Sequence, residues 1–114
     1  PETFENLATA YARANNLRDP KLGSEVDESL LTEVEHALST AVVQAETRVS
    51  LALDNDNYAE ALNELASLRK PIDLFFERVM IMDEDQVLRE NRLKLLNRFV
   101  NVFTNVADFS LLSK

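Results

Sequence analysis

Cysteine is absent from the 114 residues. That excludes disulfides and thiolate metal sites, and it is compatible with a reducing cytoplasm. Glycine occurs once, at Gly23, and proline three times. So few breakers favour long helices. No apolar run approaches the ~20 residues needed to cross a bilayer, and the opening residues lack a signal-peptide pattern. The single histidine, His36, has no second ligand at suitable spacing and reads as a partly exposed helical residue. There is no nucleophile motif, no glycine-rich phosphate loop and no metal cluster. What remains is an acidic, all-helical domain with no membrane segment and no catalytic centre.

The length suits one domain, 1–114, with a single hydrophobic core. The first residue is Pro1, not Met, as expected of a processed or excised piece. Net charge is −8. Taken alone, this argues against a nucleic-acid binder, because phosphate contacts need Lys and Arg. Local placement matters more. The acids gather early, at Glu25, Asp27, Glu28, Glu33 and Glu35, whereas bases are richest from Arg69 to Arg98.

Hydrophobic periodicity predicts an antiparallel bundle of four to five helices. The first runs from Glu2 to Leu17, with Phe4, Leu7, Ala8, Tyr11 and Ala14 on one stripe. Arg18 to Asp27 contains Pro20 and Gly23 and reads as a loop. Asp27 or Ser29 is then the expected cap of a second helix reaching Leu53. After the turn cluster Asp54-Asn55-Asp56-Asn57, a third helix starts near Tyr58. Pro71 should kink or divide it. Asp83 is the expected cap of a fourth helix ending near Ala107. The second and fourth are predicted to be the longest elements.

The fourth helix carries the most chemistry. At about 100° per residue, Leu88, Leu93, Leu95, Leu96, Phe99, Val100, Phe103 and Val106 share a broad arc that also holds Arg89 and Arg92. A charge on an apolar arc must be paired. Asp73, Glu77 and Asp85 are the acids within reach, and an ion pair between Asp73 and Arg92 is expected to fix this helix against the third. For Arg89 and Arg92 a second reading stays open, in which one of the two guanidinium groups emerges at the rim and binds phosphate or a base edge. The other face presents Asn91, Lys94, Asn97, Arg98, Asn101 and Asn105. Amides can read base edges and cations can neutralise phosphates, while a solvated face is the alternative. Phe75, Phe76, Met80 and Met82 fit a core stripe.

The run Arg69-x-Pro71-x-Asp73-x-Phe75-Phe76, followed by Val79-Met80-x-Met82, Glu84-Asp85, Arg89-x-Asn91-Arg92-Leu93 and Leu95-Leu96, resembles the C-terminal part of the bacterial glycyl-tRNA synthetase beta-subunit family. That region is an anticodon-binding domain of the DALR type. The resemblance resumes at Val106-Ala107-Asp108-x-Ser110, with weaker matches at Leu7 to Leu17 and Tyr58 to Leu65. Arg13 and Asn16 match an arginine-x-x-asparagine pattern of the family, with Ala14 and Leu17 as mild departures.

The resemblance implies tRNA recognition within glycine-tRNA ligase by a domain that is itself non-catalytic. The implied RNA-binding set is Arg13, Asn16, Arg89, Asn91, Lys94 and Arg98. No cofactor is expected in this domain, ATP and magnesium belonging to the catalytic alpha subunit. The implied partners are tRNA and that alpha subunit, in a cytoplasmic heterotetramer completed by the rest of the beta subunit. The rival reading is a non-catalytic helical protein-interaction module.

Overall fold

The computed structural model describes the backbone of residues 2–112 and the side chains of residues 4–108. Among the described residues five α-helices form the bundle: α1 (Glu2–Leu17), α2 (Glu33–Asp54), α3 (Tyr58–Ala66), α4 (Arg69–Arg78) and α5 (Gln86–Leu112). No strand occurs among the described residues. The expected all-α class holds, and α2 and α5 are the longest elements at 22 and 27 residues.

The local signals explain where each helix begins. Asn57 caps α3 by accepting a hydrogen bond from the Glu60 N–H at 3.1 Å. Asp27 does not start α2. Its side chain caps a short 3-10 turn, Glu28–Leu30, and α2 opens instead on a capping box of Thr32 and Glu35. Asp83 is likewise displaced as the cap of the last helix. Asp85 accepts from the N–H groups of Val87 at 2.9 Å and Leu88 at 3.4 Å.

Pro71 divides the third predicted helix. It sits in the first turn of α4, where its missing N–H removes only the bond that would have continued α3 past Ser67. The break is tightened by Ser67 and Leu68 N–H groups reaching back three residues, at 3.2 and 3.0 Å.

α5 is the spine. From Asn91 to Val102 only Asn101 is exposed, and Lys94 and Arg98 are half-buried. Leu95, Leu96 and Phe99 meet Leu38 and Val42 of α2 and Ile72 and Phe75 of α4 in one core, all fully buried. The Met stripe departs from expectation: Met80 and Met82 are exposed in the α4–α5 connection, with Ile81 between them buried. No described helix is long and apolar enough to cross a membrane.

Candidate functional site

The first half of the polar face of α5 turns out to be an internal seam, while Asn101 and Asn105 further along stay exposed. The 18–32 segment crosses it, and most of that segment's backbone lacks helical partners, which must be found elsewhere. The asparagines supply them. Asn91 accepts from the Asp27 N–H at 2.7 Å and donates to the Asp27 carbonyl at 3.0 Å. Asn97 donates to the carbonyls of Asp19 at 2.9 Å and Gly23 at 2.7 Å, and accepts from Arg18 at 3.4 Å. A primary amide carries donor and acceptor side by side, so it can replace a missing stretch of backbone ladder. Gly23 reverses the segment at φ 78°, a conformation that suits glycine.

This corrects the expectation of an open asparagine stripe. Asn91 and Asn97 are 4% and 2% exposed. Arg98 is also committed, through bonds of 3.1 and 2.6 Å to both carboxylate oxygens of Glu46 on α2. That bidentate contact raises the guanidinium pKa, although burial opposes it. Lys94 remains half-buried, with the Asp27 carboxylate in its field.

The arginines of the apolar arc are structural, with different partners from those expected. Arg92 does not meet Asp73. It donates to Glu35 of α2 at 2.9 Å, to Asp83 at 3.3 Å and to the Met80 carbonyl at 2.7 Å. Asp73 instead lies 3.7 Å from Arg69, one turn away on the exposed side of α4. The reason is rotational: Arg92 faces the junction of α2 with the 79–85 connection, not α4. Arg89 donates to the carbonyls of Asp83 at 2.9 Å and Glu84 at 3.4 Å, while Asp85 serves as the helix cap. These two arginines hold the connection down.

Burial pushes the Glu35 carboxyl pKa up, but hydrogen bonds from Thr32 and Arg92 outweigh it. The net effect holds the group below the ordinary glutamate range.

Arg13 and Asn16, by contrast, are exposed on α1. The Arg13 guanidinium lies over the Phe76 ring of α4, 4.3 Å from its centroid. Phe75 and Phe76 diverge as their spacing requires: Phe75 is fully buried, and Phe76 is left partly open to receive the cation. A cleft opens beside this pair, walled by polar side chains of α1 and α4. Sequence patterning alone did not pair Arg13 with Phe76, since nothing in the spacing relates residues so far apart. Among the described residues there is no cluster of metal-binding side chains.

A family model described as "DALR anticodon binding domain" matches residues 7–110. A protein of Vibrio cholerae serotype O1 called "Glycine--tRNA ligase beta subunit" is 45% identical over 99% of this chain. Proteins of the same name from Vibrio parahaemolyticus and Vibrio campbellii are 44% and 43% identical over the same share. The chain spans 17% of the length of these relatives.

Proposed function

The chain belongs to the DALR anticodon binding domain family, and on that premise we propose that it is the tRNA-recognition part of a glycyl-tRNA synthetase beta subunit. The observation that carries this reading is the 45% identity running over 99% of the chain to a protein of that name. In this reading the domain contributes binding energy and selectivity to the attachment of glycine to its tRNA. Bond-making, with ATP and magnesium, belongs to an alpha subunit, which joins the beta subunit in a cytoplasmic heterotetramer. This domain itself holds no cofactor.

The geometry supports a division of labour among the basic residues. Arg13 and Asn16 face outward from α1. Arg89, Arg92 and Arg98 spend their donors inside the fold. Anticodon bases are unstacked, so recognition relies on stacking, side-chain hydrogen bonds and phosphate contacts.

The expected result is a salt-dependent shift of a glycine-tRNA anticodon stem-loop by the 114-residue chain. Arg13→Ala should weaken it about tenfold, the size of one lost charge-assisted or stacking contact. Affinity indifferent to salt and to that substitution would sink the proposal. The exposed Met80, Met82 and Val87 beside Glu84 and Asp85 favour a second reading. They offer an apolar patch with an acidic rim, as a protein-interaction module would need. An absent tRNA shift would move the weight there.

A further inference from the structure

We propose that the cleft between α1 and α4 is a subsite for one unstacked nucleobase bearing an exocyclic amino group, and that it discriminates against uracil. This deepens the tRNA-recognition reading and rests on it. The cleft has a volume of about 360 Å³ and is lined by Asn6, Thr9, Arg13, Asp73, Phe76 and Glu77. That lies near the lower end of the ~300–1,000 Å³ usual for small-molecule pockets, as suits a single base.

Its floor and its edge make different demands. The Arg13 guanidinium over the Phe76 ring, 4.3 Å from its centroid, forms a cationic and polarisable platform. Bases stack on both arginine planes and aromatic rings, whatever their sequence. The edge supplies the selection. Asp73 and Glu77 carry carboxylates, which only accept hydrogen bonds when ionised. Arg69 approaches Asp73 no closer than 3.7 Å, beyond hydrogen-bond distance. The Asp73 oxygens therefore retain accepting capacity.

A phosphate entering here would meet two anions against one cation, so the backbone of an RNA chain is not the occupant. A base edge with amino hydrogens is. Cytosine, adenine and guanine each carry an exocyclic amino group. Uracil instead turns carbonyls on either side of its single ring N–H toward the carboxylates. Asn6 and Thr9 can both donate and accept, and so complete the contact with the acceptor atoms of the chosen base.

The test is NMR titration of the isotope-labelled 114-residue chain with cytidine, adenosine, uridine and inorganic phosphate. Signals of Thr9, Arg13 and Phe76 should move with cytidine or adenosine at a Kd at least about tenfold below that for uridine, the scale of one good edge contact. Asp73→Asn places an amide donor on the edge and should narrow that gap, with the remainder of the spectrum unchanged. Glu77→Gln is the parallel variant should the first disturb α4. Equal response to uridine, response to phosphate alone, or silence at these signals with every nucleoside would each overturn the subsite.

A parallel titration with the anticodon stem-loop separates the two levels. A stem-loop that binds while the cleft stays silent removes the subsite and leaves tRNA recognition standing. Selective nucleoside binding without any stem-loop binding keeps the subsite and removes the tRNA reading.

Discussion

Replacing Arg92 with alanine should lower the free energy of unfolding by about 3–5 kcal/mol, the usual cost of stranding one partner of a buried ion pair. The stranded partner is Glu35, 1% exposed, which would keep only its bonds from Thr32. The Met80 carbonyl and Asp83 lose their donor as well, so the 79–85 connection should loosen together with the core. Urea unfolding followed by circular dichroism measures the loss. A change under about 1 kcal/mol would show that the pair is not closed in solution. Replacing both members, as Glu35→Met with Arg92→Leu, should recover much of the stability, because a well-packed apolar pair has no desolvation cost to offset.

The same pair predicts an acid limb. The Glu35 carboxyl is held below its ordinary value in the fold, so the unfolded chain takes up its proton first as pH falls. The stabilisation is therefore complete above the ordinary glutamate value of about 4.3. It is lost progressively as pH drops from there through the folded-state value. Glu35→Gln should flatten this limb of the stability profile.

Asn91 and Asn97 are the second place where a small change should have a large effect. Alanine at either position should cost about 1–3 kcal/mol, because each leaves backbone groups of the 18–32 segment without a partner. Asn97→Ala strands the Gly23 carbonyl and leaves the Asp19 carbonyl only its bond from the Leu22 N–H, and Asn91→Ala strands the Asp27 N–H and leaves the Asp27 carbonyl only its bond from the Leu30 N–H. The double variant should combine the losses and expose the segment, with trypsin cutting after Lys21 well before global unfolding. Resistance at Lys21 equal to that of the unaltered chain would show that the segment is held by its apolar contacts, Leu22 and Val26, instead.

The helices were legible because their signals are local. The 3.6-residue period of α2 and α5, Asn57 before Tyr58, and Pro71 within an apolar run each act within a turn or two. The start of α2 was misplaced: the signal is Thr32-x-x-Glu35, but Asp27 and Ser29 offered equally good caps a few residues earlier. The structure uses those for a separate 3-10 turn. Partners across the bundle were not legible. Arg92 on an apolar arc demanded an acid, yet nothing local chooses Glu35, 57 residues away, among 20 acidic residues.

The asparagine stripe misled for a related reason. An amide on a helix face suits water, RNA or a neighbouring backbone equally well. Only the path of the 18–32 segment decides that Asn91 and Asn97 face protein. Arg13 kept its outward position, but its contact with Phe76 depends on how α1 lies along α4.

The clamps from α5 to the 18–32 segment span 64 to 79 residues of sequence. Proteins are made from the N-terminus at ~5–20 residues per second. For several seconds of synthesis, then, the first four helices exist without the one that ties them together. Until residue 97 has left the ribosome, Gly23 and its neighbours have no amides to bind and Glu35 has no cation. Nascent chains halted before α5 should be readily cleaved by proteases and should present the core faces of α2 and α4 to chaperones. The domain closes as a unit only when its last helix arrives.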